Sequence, residues 1–301
     1  MRIVVIGAGG VGGYFGGRLA EAGNDVTFIA RGDHLRALHT SGLKVESFKG
    51  DMAINPVQAT NDPSEIAPVD CILIGVKAWQ VPEAAEAIRP VVSPETMVVP
   101  LQNGVEAPAQ LVSVLGEKPV LGGLCKIISF VVEPGFIRHL GAEPYIAFGE
   151  LNNRLSERVE TLRKVFAAAG ITVEIPENIQ VAMWEKFLFI SAVSGLGALT
   201  RAKIGELRQN PETRRQLEEA MQEIFNVAHG HNIPLSPEII PNTMSFIDNL
   251  PPDGTASMQR DIMEGRPSEL NSLTGAVVRL GQKAGVETPL NTFIYNELVS
   301  A

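Results

Sequence analysis

A glycine pattern near the start of the chain suits the binding of a phosphate-bearing cofactor. Gly7, Gly9 and Gly12 follow the spacing G-x-G-x-x-G, with Gly10 and Val11 between them. The motif follows an apolar run and opens a segment with helical spacing, as in a dinucleotide-binding βαβ unit. There the first glycine permits a tight turn, the second lets the backbone approach the pyrophosphate, and the third lets helix and strand pack closely. The alternative, a glycine-rich turn that binds nothing, is disfavoured by this context.

The residue after the second predicted strand bears on the choice of nicotinamide cofactor. NAD-preferring enzymes usually place Asp or Glu there, on the ribose 2′-hydroxyl. This chain has Arg31 between Ala30 and Gly32, and a guanidinium can pair with a 2′-phosphate in a bidentate way. Arg31 therefore favours NADP, although an ordinary exposed loop arginine would fit the same position.

A lysine in an apolar stretch is the candidate proton donor. Lys186 follows Trp184 and Glu185 within residues 181–199, which are apolar almost all round and should form a buried helix. Burial removes water from the ammonium group, so we expect the pKa of this lysine to fall. Such a lysine suits the protonation of a carbonyl oxygen during reduction. A lysine that reaches solvent from the helix start and pairs with Glu185 fits the spacing equally well.

Ser257, Asp261 and Glu269 form a second polar group. Ser257 and Asp261 share a helix face at positions i and i+4. Pro267 interrupts that helix, and Glu269 is predicted in the first turn of the next one. Acidic residues at helix starts are common because they interact favourably with the helix dipole. On spacing alone, that structural role is the better interpretation of Asp261 and Glu269.

Two further polar residues stand where predicted parallel strands end. Asn103 lies in a turn with Gln102 and Gly104, and Lys77 follows another strand. Ligands of open α/β sheets bind at this carboxyl edge. Asn103 could hydrogen-bond the nicotinamide amide or the substrate, and Lys77 could contact the cofactor or a substrate carboxylate. A plain Asn-Gly turn and a solvated loop lysine are the alternatives.

The elements that must position these residues change type along the chain. Strands are predicted at 2–6, 25–30, 70–76, 96–100, 120–122 and 171–175, and helices at 10–23, 81–91 and 156–169. Residues 127–148 are expected to add antiparallel strands to the edge of the sheet. Only helices follow, at 178–200, 211–231, 236–248, 254–264, 268–284 and 289–299. This order predicts an α/β fold, with an N-terminal Rossmann dinucleotide-binding domain at 1–176 and an all-α catalytic and substrate domain at 177–301.

Composition narrows the class of protein. The net charge of −9 and a pI near 5.2 argue against a nucleic-acid partner. No basic amphipathic segment suggests a membrane surface, and no unbroken apolar run reaches the ~18 residues of a membrane helix. The two cysteines are expected to be buried, reduced thiols of a cytoplasmic protein. Neither they nor the histidines have metal-ligand spacing, so we predict no metal; a homodimer is possible through the helical domain.

The chain resembles the ketopantoate reductases (2-dehydropantoate 2-reductases) along nearly its whole length. The resemblance rests on motifs that occur in order with family-like spacing: Ile-Gly-Ala-Gly-Gly-Val-Gly-Gly at 6–13, Arg31, Val-Lys-Ala-Trp-Gln at 76–80, Gln-Asn-Gly at 102–104, Trp184-x-Lys186, and Ser257-Met258-x-x-Asp261 with Glu269. It implies an enzyme that reduces 2-dehydropantoate to (R)-pantoate with NADPH, in pantothenate biosynthesis.

The resemblance also implies roles for individual residues. Lys186 matches the catalytic lysine, which protonates the reduced carbonyl, and Glu269 matches the acid that partners it and contacts the substrate. The remaining matches are Asn103 near nicotinamide and substrate, Lys77 in the active site, Ser257 at the substrate carboxylate, and Arg31 at the 2′-phosphate.

The chain departs from the family at two positions. Members that make pantoate usually carry asparagines four and eight residues after the lysine, where this chain has Ile190 and Ser194. Ser194 remains a candidate substrate contact, whereas Ile190 loses one. Because losing a buried polar partner strongly changes substrate discrimination, an NADP-linked D-2-hydroxyacid dehydrogenase that acts on another 2-oxo acid is the alternative. A non-catalytic NADP-binding redox sensor is a further one, although it would not need Lys186 and Glu269.

Overall fold

The computed structural model describes residues 1–300, which group into two compact units. The sheet unit comprises Met1–Gln102 and Ala107–Ile179. The helical unit comprises Asn103–Glu106 and the chain from Gln180 onward. The short segment at Asn103–Glu106 therefore groups with the helices, although it lies between two parts of the sheet unit in sequence.

Among the described residues, the strands of the sheet unit form two five-stranded sheets. In chain order they are β1 (Arg2–Ile6), β2 (Asp25–Ile29), β3 (Leu43–Ser47), β4 (Met52–Ile54), β5 (Gln58–Thr60), β6 (Cys71–Ile74), β7 (Met97–Pro100), β8 (Leu121–Glu133), β9 (Phe136–Glu150) and β10 (Thr172–Glu174). The first sheet is parallel and has the order β5-β2-β1-β6-β7. Its apolar, β-branched strands suit a parallel sheet, which is buried on both faces.

The helices of the sheet unit follow the strands of the first sheet or flank the second. They are α1 (Gly10–Glu21), α2 (Gly32–Thr40), α3 (Val81–Ile88), α4 (Ala107–Leu115) and α5 (Glu157–Ala168). Alternate residues of β1 enter different cores, because side chains of a strand alternate between faces. Ile3 and Val5 pack with α1, α5 and the second sheet. Val4 and Ile6 pack with α3 and α4.

The second sheet corrects one prediction. Residues 127–148 do not extend the edge of the parallel sheet. They belong to a long antiparallel hairpin of β8 and β9, with its turn at Gly135, where φ is +78°. The hairpin belongs to the second sheet, in which the strand order is β10-β9-β3-β4 and β8 also pairs with β9. Both β3 and β10 run parallel to β9. The predicted strand at 171–175 thus joins this second sheet.

In the described part of the helical unit, up to residue 300, there are seven α-helices: α6 (Ile179–Thr200), α7 (Ile204–Gln209), α8 (Pro211–Gly230), α9 (Ile239–Asn249), α10 (Ser257–Met263), α11 (Thr274–Ala284) and α12 (Pro289–Ser300). By length and composition alone α6 could cross a membrane, but 67% of its most apolar window is buried within the protein. A helix that is apolar all round suits such a core position. The prediction of an N-terminal Rossmann domain followed by an all-α domain is confirmed.

Candidate active site

Two glycines of the motif have a geometric reason to be glycine. Gly7 has φ +92°, and a Cβ there would lie 2.6 Å from the backbone nitrogen of Val76. A Cβ on Gly12 would lie 2.1 Å from the carbonyl oxygen of Gly7 and 2.9 Å from Val5. Since these neighbours are backbone or buried core, the loop can close onto β1 and β6 only without side chains at both positions.

Gly9 differs, because a Cβ there would meet no atom within 4 Å. The space above its backbone is therefore open. Gly9 is the N-cap of α1, and among the described residues no side chain caps this end and no acid lies in the first turn. A helix N-terminus offers backbone N–H groups and the positive end of the helix dipole to an anion. This donor set fits a dinucleotide pyrophosphate.

The topology places the loop at the reversal of strand order. β1 lies between β2 and β6, so successive connections leave it in opposite directions, and ligands bind at the carboxyl ends of strands at such a point. Gln102, at the end of β7, donates from Nε2 to the carbonyls of Ile74 and Val76, at 2.8 Å each. The sequence interpretation saw Gln102 only as part of a turn, whereas it ties together two strand ends at this edge.

Lys77 lies at the same edge, directly after β6. It is exposed, and its backbone N–H donates to Oε1 of Gln80 at 3.2 Å. Its Nζ lies 5.8 Å from the centre of the Trp79 ring, which is 46% exposed. The ammonium group is thus presented at the carboxyl end of the parallel sheet.

Arg31 is the N-cap of α2, and its guanidinium is exposed at this edge. Its Nη2 lies 2.8 Å from Oε1 of Glu83 on α3. The side chains are 66% and 61% exposed, and ion pairs this exposed contribute little to stability. A phosphate group could therefore replace Glu83 as the partner of the guanidinium with little loss of stability. The sequence interpretation did not consider Glu83, because the two residues lie on different helices.

His34, one turn into α2, links this region to the hairpin. The backbone N–H of Gly135 donates to His34 Nδ1 at 3.2 Å. Burial lowers the pKa of His34 below its ordinary value, and the backbone of Ala8 opposes that shift. This shift favours the neutral ring, whose unprotonated Nδ1 can accept the hydrogen bond.

Two of the candidate residues of the helical unit meet. Asn103 donates from Nδ2 to Oε2 of Glu269 at 3.3 Å, although 166 positions separate them in sequence. Glu269 is only 6% exposed. The prediction that Glu269 occupies the first turn of a helix is wrong: it precedes a 3₁₀ turn at Leu270–Ser272, and α11 begins at Thr274. This carboxylate is therefore not one of the usual acids at an α-helix start.

Lys186 lies in the second turn of α6 and is half-buried. Its neighbours on the helix include Met183, 5% exposed, and Val193, 1% exposed, together with the partly buried Ile190. These three neighbours on α6 are apolar, and the lysine itself is neither fully buried nor exposed.

Ser257 and Asp261 share α10 but have different surroundings. Asp261 accepts hydrogen bonds from Arg266, Nε at 3.0 Å and Nη2 at 2.8 Å. This contact ties the end of α10 to the following loop and favours a structural role for Asp261. Ser257 opens α10 and is half-buried. Gln259, which the sequence interpretation missed, is buried and donates to the carbonyls of Gly197 at 3.0 Å and Ala202 at 2.8 Å.

Ser194 is fully buried on α6, and its Oγ has no hydrogen-bond partner among the described residues. The hydroxyls of Ser191 and Thr274 share that condition. Buried hydroxyl groups usually have partners, so the helical unit contains unused polar capacity close to α6. Ile190 instead packs against the apolar core of this unit.

Comparison with known proteins identifies the same two parts. Residues 3–153 match the family model described as ketopantoate reductase PanE/ApbA, and residues 178–300 match that of the ketopantoate reductase PanE/ApbA C terminal. The Bacillus subtilis (strain 168) protein named "Uncharacterized oxidoreductase YkpB" is 30% identical, over 99% of this chain and 98% of its own. The crystal structure of 2-dehydropantoate 2-reductase from Geobacter metallireducens GS-15 is 30% identical, with a TM-score of 0.92 over 100% of this chain and 99% of that one.

The fold also resembles that of a dehydrogenase with another substrate. The ternary structure of D-mandelate dehydrogenase with NADH and anilino(oxo)acetate has a TM-score of 0.90, covering 100% of this chain and 98% of that one. At 23% identity the likeness is one of fold.

Proposed function

The chain belongs to the ketopantoate reductase family of dinucleotide-binding oxidoreductases, and on that premise we propose that it reduces 2-dehydropantoate to (R)-pantoate with NADPH. The observation that carries the proposal is the contact of Asn103 with the buried Glu269, at 3.3 Å. A buried carboxylate beside an amide suits the recognition of a polar substrate, because burial of a charged group is costly and such groups cluster at functional sites.

The sheet unit supplies the residues that would hold the cofactor. The loop of Gly7, Gly9, Gly10, Val11 and Gly12 would hold the pyrophosphate at the start of α1. Arg31 would leave Glu83 and pair with the 2′-phosphate, and Lys77 and Asn103 would contact the cofactor near its nicotinamide. The bound nicotinamide supplies the hydride that the keto carbon receives.

The helical unit would supply the proton and the substrate contacts. Lys186, as an ammonium, would donate a proton to the carbonyl oxygen as that oxygen gains negative charge. The Glu269 carboxylate would orient Lys186 and the substrate hydroxyl, while Asn103 holds the carboxylate in place. Ser257 and Ser194 would donate hydrogen bonds to the substrate carboxylate. One hydride and one proton then complete the reduction of the carbonyl to an alcohol.

The surroundings of α6 favour a second candidate, an NADP-linked D-2-hydroxyacid dehydrogenase that acts on a more apolar 2-oxo acid. Ile190 offers a methyl-rich surface where pantoate-making relatives offer an amide. An apolar side chain cannot hydrogen-bond the hydroxyl of ketopantoate, and polar discrimination of this kind is worth several orders of magnitude. D-mandelate dehydrogenase shares the fold.

The proposal is tested by following oxidation of NADPH with ketopantoate, 2-ketoisovalerate, benzoylformate and pyruvate, and by repeating the series with NADH. We expect the highest kcat/KM with ketopantoate and NADPH. A preference for benzoylformate or 2-ketoisovalerate would replace the substrate by that of the second candidate. In that case the Ile190→Asn/Ser194→Asn variant should move the preference toward ketopantoate. Binding of NADPH without oxidation by any 2-oxo acid would contradict both candidates and point to a sensor.

A further inference from the structure

We propose that Arg279 is a positioning residue, which together with Glu106 holds Asn103 against Glu269. The inference deepens the proposed function and rests on it in one respect, namely that Asn103 and Glu269 act on the substrate. The sequence predicted no role for Arg279 or Glu106, in contrast to Asn103 and Glu269. All of them belong to the helical unit.

Arg279 ties down the segment that carries Asn103. From α11 its Nη2 donates to Oε2 of Glu106 at 2.7 Å, and the two side chains are 37% and 23% exposed. Glu106 is three residues after Asn103 and belongs to the same short segment. Charge-assisted hydrogen bonds between partly buried groups are stronger than those of exposed ion pairs.

The same guanidinium ties down the turn that follows Glu269. Nη1 donates to Oδ1 of Asn271 at 2.6 Å, and Nη2 donates to the backbone carbonyl of Asn271 at 2.9 Å. Tyr295 also donates to Oδ1 of Asn271, at 3.1 Å. The turn itself is anchored on Glu269, whose carbonyl accepts from the N–H groups of Ser272 and Leu273, at 3.0 Å each. Arg279 therefore bridges both segments that carry the pair.

Two glycines show how closely these parts pack. Gly104 has φ +102°, and a Cβ there would lie 2.9 Å from the carbonyl oxygen of Ser272. A Cβ on Gly275 would lie 2.7 Å from the ring of Tyr295, 3.0 Å from Oδ1 of Asn271 and 3.2 Å from Nη1 of Arg279. The guanidinium is thus packed closely against Gly275 on one side, so packing as well as charge limits its position.

The planar fork of arginine is needed for this bridge. A lysine ammonium is a compact point charge on a flexible stem and lacks the fixed fork of donors that reaches two segments at once. Displacement of a reacting or orienting group by 1 Å can reduce the rate about 100-fold. We therefore expect Arg279→Met and Arg279→Lys to reduce kcat/KM for the 2-oxo acid roughly 10- to 100-fold. Glu106→Gln should act in the same direction.

Hydrogen exchange tests the bridge without relying on activity. In Arg279→Met, backbone amides of the segment around 103–106 should exchange faster than in the parent protein, because the segment loses its anchor. Arg214→Met is the matched control. It removes another arginine of the helical unit, paired with Asp248 at 2.6 Å and 34% exposed, and should leave that segment unchanged. Equal exchange in the parent and in Arg279→Met would overturn the proposal.

A double-mutant cycle with Asn103→Ala tests the route of the effect. If Arg279 acts through Asn103, Arg279→Met should cause little further loss of kcat/KM once Asn103 is alanine. Losses that multiply in the double variant would overturn that route and leave a general structural role. A parent protein that reduces no 2-oxo acid would refute the proposed function instead, and hydrogen exchange alone would then decide whether the bridge exists.

Discussion

In the sheet unit the candidate cofactor site is made mainly of backbone, whereas in the helical unit the candidate catalytic site is made of side chains. The glycine loop works through what its residues lack, since Gly12 lies against Gly7 and Val5 with no room for a Cβ. Asn103 and Glu269 work through groups that meet from distant parts of the chain.

The difference separates two kinds of functional requirement. A phosphate cradle needs N–H groups at a helix start, which almost any sequence provides once the glycines allow approach. Proton transfer to a carbonyl needs one titratable group in one place. The phosphate cradle therefore tolerates substitution of neighbouring side chains but not of the glycines. The proton-transfer site depends on particular side chains, so it does not tolerate substitution of those side chains.

The largest effect should come from adding a methyl group to the loop. Gly12→Ala forces a Cβ to within 2.1 Å of a backbone oxygen, so we expect it to destabilise the sheet unit by about 1–3 kcal/mol or more and to abolish cofactor binding. Gly9→Ala meets no protein atom within 4 Å. It should keep the melting temperature of the parent yet weaken NADPH binding roughly 10- to 100-fold, because phosphate hydrogen bonds are lost.

Thermal melts and NADPH fluorescence titrations of both variants check this pair. Gly9→Ala with unchanged NADPH affinity would show that the open space above α1 does not hold the pyrophosphate. The cofactor site of the sheet unit would then not depend on the backbone of the glycine loop.

A smaller effect is expected at Arg31, a side-chain contact of the proposed cofactor site. Arg31→Gln removes the proposed partner of the 2′-phosphate, so the KM for NADPH should rise roughly 10-fold or more while the KM for NADH changes little. Glu83→Gln removes the carboxylate that lies 2.8 Å from Arg31. It should raise the preference for NADPH by a few-fold, because the 2′-phosphate no longer competes with the Glu83 carboxylate for Arg31 and is no longer repelled by its negative charge.

Arg36→Gln is the matched control, since Arg36 is an exposed arginine of the same helix that pairs with Asp33. It should leave both KM values unchanged. Equal losses for NADPH and NADH in Arg31→Gln would show that Arg31 does not read the 2′-phosphate.

How much could be predicted from the sequence follows the same division. Four strands of the parallel sheet (β1, β2, β6 and β7) and the glycine loop were predicted because both are local signals: short β-branched runs and a motif of fixed spacing. The three-residue β5 was not predicted, because Gln58–Thr60 is too short and too polar to give such a signal. The long hairpin was assigned to the wrong sheet, because alternation shows that residues 127–148 are strands but not which strands they pair with. Pairing depends on register with β3 and β10, which are distant in sequence.

The surroundings of Glu269 were missed for a different reason. Leu270 and Leu273 are both buried, three residues apart, and that spacing fits a 3₁₀ turn as well as an α-helix. The predicted helix at 268–284 therefore began too early. The contact of Asn103 with Glu269 and the bridge from Arg279 could not be predicted either. Both join segments that are distant in sequence, and the spacing of residues within each segment does not indicate which other segment it contacts.

In the proposed enzyme the helical unit provides the proton donor, while the glycine loop and Arg31 of the sheet unit bind the cofactor. The most direct test is to measure turnover and NADPH affinity on the same preparation of Lys186→Ala, with the parent protein beside it. We expect kcat to fall about 10²- to 10⁴-fold, while the Kd for NADPH stays within roughly 2-fold, an energy difference below 1 kcal/mol. Unchanged turnover, or a loss of turnover that merely follows a loss of NADPH affinity, would contradict this expectation.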